Sequence, residues 1–141
     1  MRVVRADTDE RYEDALAVRF DVFVAEQGVP EELEVDDHED EAVHFVAYDD
    51  GDPVGAARLR EYEPDVGKVE RVAVRESRRG EGWGGALMDA VEDAAGERYD
   101  ELFLHAQLPV EEFYADRGYE REGEEFEEAG IPHVAMRKRL P

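Results

Sequence analysis

Apolar positions recur along this chain with two periods that alternate, one near two and one near 3.6. Val3 to Arg5 reads as a short strand. Asp7, Thr8 and Asp9 offer helix caps, with Asp7 and Glu10 forming a box-like pair. The following pattern predicts a helix to about Val24, with Tyr12, Ala15, Leu16, Arg19, Phe20 and Phe23 on one side, stopped by Gln27-Gly28-Val29-Pro30. Strands are expected over Ala42–Tyr48 and Pro53–Tyr62, joined by the turn Asp49-Asp50-Gly51-Asp52, and over Lys68–Val74. Gly84 to Ala95 predicts a helix with Ala86, Leu87, Ala90, Val91 and Ala94 on a buried face. Leu102–Ala106 is the next strand and Val110–Arg117 a short helix ended by Gly118. Tyr119–Phe126 and His133–Leu140 are the last two strands. The order β-α-β-β-β-α-β-α-β-β predicts an α/β fold, a mixed sheet with helices on both faces.

Composition narrows the picture. The length, 141 residues, fits a single domain over 1–141. Cys is absent, which excludes disulfides and thiolate chemistry. No apolar run approaches a membrane span, and the start of the chain lacks the apolar core of a signal peptide, so a cytoplasmic protein is expected. Charge is the unusual feature: 39 acidic against 17 basic residues, net −22, with Lys68 and Lys138 the two lysines. Such a surface suits either cationic partners or high salt, where self-repulsion is screened; salt adaptation is the expectation here. The same field disfavours nucleic acid as a partner. Glu31 to Glu41 holds eight acids in eleven positions, read as a solvated loop or frayed helix that could also attract a cationic amine.

Chemistry concentrates between Val69 and Gly85. An apolar strand runs into the basic segment Arg75 to Arg79, then into Gly80-Glu81-Gly82-Trp83-Gly84-Gly85 at a helix start. Glycines let a ligand approach the backbone, and the free N–H groups of a helix start bind anions. Gly80-x-Gly82-x-x-Gly85 fits a dinucleotide fingerprint literally. The fingerprint, however, wants its first glycine at the strand end and an acid ending the next strand, where this chain has Ala106-Gln107. Arg71, Arg75, Arg78 and Arg79 form the densest basic cluster, pointing either to an anionic ligand or to arginines paired with surface acids.

The residues Arg79-x-x-Gly82-x-Gly84 resemble the pyrophosphate signature of the GNAT acetyltransferases. The element order agrees over nearly the whole chain. Phe113-Tyr114 with Gly118-Tyr119, His105-Ala106-Gln107, Gly130-Ile131-Pro132-His133 and Phe23 to Pro30 resemble a small microbial subgroup of undefined substrate. The resemblance implies a mixed, mostly antiparallel sheet and transfer of acetyl from acetyl-CoA to a primary amine of a small molecule or peptide. A non-catalytic acyl-CoA-binding protein on the same fold is the alternative. It implies that Val72, Ala73 and Val74 align the pantetheine, that Arg79, Gly80, Glu81, Gly82, Trp83 and Gly84 cradle the pyrophosphate, and that Gln107 stands where many members carry Asn. Glu70 would be the general base, sharing a strand face with Val72 by alternation, and Tyr114 the acid that protonates the thiolate. An exposed strand glutamate and a core tyrosine are the plain readings of those two. His105 and His133 are read as core histidines or proton relays, and Glu26 and Gln27 as shaping the acceptor pocket. His38 and His44 flank acids without diagnostic spacing, so no metal is expected. A homodimer through edge strands is left open.

Overall fold

Asp50 and Gly51 both lie at positive φ, 50° and 88°, and close a two-residue hairpin between β2 (Val43–Asp49) and β3 (Asp52–Glu63). That left-handed pair has the twist the flanking strands need. In the computed structural model, which describes residues 2–141, this hairpin lies within a seven-stranded sheet of order β1-β2-β3-β4-β5-β7-β6. The others are β1 (Arg2–Arg5), β4 (Val66–Val74), β5 (Glu101–Gln107), β6 (Glu120–Glu128) and β7 (Ile131–Arg139). Every pairing is antiparallel except β4 with β5. That parallel pair is joined by a helical crossover.

Helices cover both faces, as expected. α1 (Asp9–Arg19) is capped by Thr8, whose hydroxyl accepts from the Arg11 N–H at 3.2 Å. It packs on β2, β3 and β4 through Ala15 and Val18, joined by Val22 just beyond its end, against Val46, Ala56 and Ala73. α3 (Trp83–Ala95) buries Leu87, Met88 and Val91 on the opposite face against Ala57, Leu59, Val69 and Leu104. α4 (Glu111–Asp116) lies on that same side beside β5 and β6. Among the described residues, α1 packs on β2, β3 and β4.

Three local expectations change. The first helix is α-helical only to Arg19 and continues as a π-helical turn over Phe20–Glu26, with Gln27 N–H bonded five residues back to Val22 O at 3.1 Å. Its buried stripe is Ala15, Val18, Arg19 and Val22, whereas Leu16, Phe20 and Phe23 are only half-buried. The acidic run contains a short helix, α2 (Glu31–Glu34), and is pinned rather than solvated. Arg19 and Arg58, both 0% exposed, reach into it. Arg19 donates to Glu34 Oε1 at 2.7 Å and to Glu39 at 2.9 Å; Arg58 donates to Asp36 Oδ1 at 2.8 Å and to Glu39. A buried guanidinium must have such partners, since an unpaired one is too costly to bury.

β4 carries the decisive irregularity. Its register with β3 runs Arg58↔Glu70 and then Ala56↔Ala73, so one extra residue is inserted on β4. Arg71 takes it up at φ 55°, a left-handed conformation uncommon for a non-glycine residue. The side chain of Arg71 anchors the bulge by donating to Glu34 O at 3.3 Å and Leu33 O at 3.1 Å.

Candidate active site

The bulge separates β4 from β5. Their pairing runs from Val66↔Glu101 to Val69↔Leu104 and stops there. Beyond it, residues 70–74 present toward β5 an edge that no described strand pairs, and the two strands bound an open split. The extra residue also reverses the alternation. Val72 and Val74 pack toward α3, while Ala73 packs toward α1. Glu70, paired with Arg58, faces α1. The expectation that Glu70 and Val72 share a face is therefore wrong, and the bulge at Arg71 is the reason.

At the far end of the split lies the glycine turn. Gly80 and Gly82 both have positive φ, 79° and 93°, and a Cβ at Gly80 would meet nothing within 4 Å. Gly82 is the N-cap residue of α3 and offers no side chain, so the first N–H groups of a 13-residue helix are left for an outside acceptor. A cradle of backbone donors with open space above it suits a pyrophosphate. Gly84 lies against Phe113: a Cβ there would come within 3.4 Å of its ring. Trp83 is buried, donates to Glu81 Oε1 at 3.0 Å and carries Arg78 over its ring.

The four arginines are all paired. Arg71 meets Glu34 and Asp36, Arg75 meets Asp21 at 2.8 Å, and Arg78 meets Asp49 and Glu81. Arg79 makes a two-pronged pair with Glu26, 2.6 Å for each bond, and donates to Val74 O at 3.0 Å. Glu26 thus straps the π-helical turn to the glycine loop. Gln27 is joined to Gln107 by reciprocal amide bonds of 2.9 and 3.3 Å.

Glu70 and Tyr114 sit in contrasting surroundings. Burial pushes the Glu70 carboxyl up, but the Arg58 charge, the Arg60 hydrogen bond and Lys68 outweigh it and hold the pKa at about 2. The distances are 2.8 Å to Arg58 Nη2, 2.7 Å to Arg60 Nε and 3.3 Å to Lys68 Nζ. A carboxylate so restrained is permanently charged and a weak base. Tyr114 is 7% exposed, edge-on to Phe113 and Tyr119. Burial raises its pKa far above neutrality, and its hydroxyl has no hydrogen-bond partner among the described residues. It is a held proton without a protein acceptor.

The sequence model for the Acetyltransferase (GNAT) domain matches residues 7–140. The chain belongs to the GNAT acetyltransferase family. This acetyltransferase is 45% identical over 140 residues to the Bacillus subtilis protein named Uncharacterized N-acetyltransferase YjcF, covering 98% of this chain and 99% of that one. It superposes on a Lactobacillus plantarum crystal structure with a TM-score of 0.92 at 30% identity, over 99% and 98% of the two chains. An acyl-CoA N-acyltransferase structure from Pseudomonas aeruginosa gives 0.82 at 28% identity, over 98% and 99%. The chain is an acyl-CoA-dependent acetyltransferase.

On the α1-side face beyond the split, the acetyltransferase gathers residues scattered in sequence. Tyr62 stacks on Phe103 at 4.8 Å; His105 meets Phe103 and Phe126 edge-on; Phe126 lies over His133. Glu128 reaches His105 Nδ1 at 3.0 Å and lies 3.8 Å from His133 Nε2. Sequence reasoning noted both histidines but missed Glu128, which is one acid among many on an acidic edge strand. His38 and His44 are occupied elsewhere: His38 Nδ1 with Glu41, and His44 Nε2 with Glu39 O at 2.9 Å. Burial lowers the pKa of His44 and favours its neutral form.

Proposed function

We propose that this acetyltransferase moves acetyl from acetyl-CoA to the primary amine of a small molecule or peptide by direct transfer. The observation that carries this reading is the split between β4 and β5 after Val69 and Leu104, leading to the uncapped turn at Gly80 and Gly82. Residues 72–74 align a pantetheine arm along a free strand edge, as an added strand would lie. Backbone N–H groups across 79–84 take the pyrophosphate, with Glu81 and Trp83 closing the turn and Gln107 at the mouth of the split. The bound thioester supplies an activated acyl carbonyl.

Tyr114 keeps its proton at neutral pH and gives it to the sulfur as negative charge develops there. Glu70 is a fixed negative charge at the inner end of the split, held by Arg58, Arg60 and Lys68. Glu26 and Gln27 border the acceptor side, tied to Arg79 and Gln107. The net charge of −22 is read as adaptation to high salt. If a second copy adds to the sheet, β1 is the edge for it, since β6 presents a row of glutamates that repel their own copies.

A panel of spermidine, tyramine, kanamycin and a lysine peptide, incubated with acetyl-CoA in KCl, tests the reaction by release of free thiol. The expectation is amine-dependent release that Tyr114→Phe slows. Release that no amine accelerates, from protein shown to bind acetyl-CoA, would remove the amine-transfer reading.

A further inference from the structure

The inner end of the split holds two side chains in register. Val69 and Leu104 are the last paired residues and both point into the core under α3. The next residue on each parallel strand, Glu70 and His105, therefore lies on the opposite face, just past the last paired residues. One step earlier, Lys68↔Phe103 occupies the same face. On this face 23% of the His105 side chain is exposed.

The two candidates for proton removal differ in what holds them. Glu70 is shared among Arg58, Arg60 and Lys68, so its oxygens are spent on cations and its affinity for a proton is low. His105 has one nitrogen fixed and one open. Its Nδ1 is 3.0 Å from Glu128 Oε1, while Phe103 and Phe126 hold the ring edge-on at 5.3 and 4.8 Å. Nε2 makes no hydrogen bond to a described residue. A carboxylate on Nδ1 selects the Nδ1–H tautomer and leaves the Nε2 lone pair directed outward. His133 lacks that freedom: it is 6% exposed, with Nδ1 against Ile131 O at 2.6 Å.

We infer that His105, oriented by Glu128, is the general base that takes the proton from the acceptor ammonium. The inference rests on the amine-transfer reading above. The step balances as follows. An N–H bond of the ammonium breaks and Nε2–H forms. The freed nitrogen pair bonds to the acyl carbon as the C–S bond breaks. Tyr114 gives its proton to sulfur, and the phenolate recovers one from the acylated nitrogen. The imidazolium then returns its proton to water. The charged groups facing His105 are Glu128 from β6, His133 and Arg137 from β7, and Lys68 and Glu70 from β4, with Arg60 from β3 behind them. Glu128 is a positioning residue.

Two measurements test this on the full chain. The first needs no acceptor: long-range nitrogen–proton NMR of the histidine rings at about pH 8.5, with and without acetyl-CoA, with His105→Gln used for assignment. The expected result is a pyridine-type Nε2 on His105 that shifts when acetyl-CoA binds, and a loss of that tautomer preference in Glu128→Gln. A protonated Nε2, or no response to bound acetyl-CoA, overturns the assignment. The second is turnover with the fastest amine of the panel. His105→Gln is expected to lower kcat on the order of 10²–10⁴-fold with acetyl-CoA affinity kept. Glu128→Gln lowers kcat less. A folded His105→Gln enzyme within a few-fold of wild type would overturn the inference. Thiol release that no amine accelerates would instead sink the amine-transfer reading, and the tautomer measurement would still decide whether His105 is built as a base.

Discussion

Replacing Glu70 by Gln keeps the side-chain shape and removes the charge that three cations share. Its carboxyl is held at a pKa of about 2 against an ordinary 4.5. At about 1.36 kcal/mol per unit, ionised Glu70 contributes about 3 kcal/mol to folding at neutral pH. The side chain is 11% exposed, so solvent screening takes little from that figure. The sign follows from the direction of the shift. A depressed carboxylate stabilises fully above its unfolded pKa and loses that contribution as pH falls through the folded value. Linkage leaves only about 1 kcal/mol of it at pH 3. Urea unfolding of wild type and Glu70→Gln in dilute solution, at pH 7 and pH 3, is the assay. The expected gap is about 3 kcal/mol at pH 7 and about 1 at pH 3. An equal gap at both values, or none at pH 7, would refute the claim that Glu70 is a restrained anion and return it to candidacy as the base.

Gly82→Val should abolish acetyl-CoA binding in a protein that still folds, because φ 93° is a conformation a β-branched residue avoids and its side chain would fill the cradle; calorimetric titration reads the loss, and normal affinity would place the cradle elsewhere. Tyr114→Phe should leave the melting temperature nearly unchanged, since the hydroxyl has no protein partner, while kcat falls on the order of 10²–10⁴-fold. A variant that melts lower but turns over normally would make Tyr114 a packing residue. The melting temperature should rise from low ionic strength to molar KCl, as the screening length falls from about 10 Å at 0.1 M to about 3 Å at 1 M around a chain of net charge −22. A flat or falling trend would contradict salt adaptation.

Element order was legible because turns and periodicity are local properties. Asp50-Gly51 and Gly130 punctuate strands, and the face of Leu87 and Val91 repeats at helical spacing. The glycine cradle was legible for the same reason: Gly80 and Gly82 lie within a few residues of the helix they start. The bulge at Arg71 was not, because no glycine marks it and an arginine in left-handed backbone is held there by Leu33 and Glu34, far away in sequence. That hidden residue reversed the face of Val72. Only the folded chain brings Glu34, Asp36 and Glu39 onto the buried Arg19 and Arg58. Glu128 could not be told from its acidic neighbours until β7 set it beside His105.

The central claim is that the split between β4 and β5 and the turn at Gly80–Gly84 hold acetyl-CoA. Thermal or urea unfolding in the presence of acetyl-CoA, with NADH and ATP at the same concentrations, tests it most directly. At a concentration about 100 times its dissociation constant, acetyl-CoA should add roughly 2.7 kcal/mol, with NADH and ATP adding far less. No stabilisation by acetyl-CoA, or a larger one by NADH, would contradict the account.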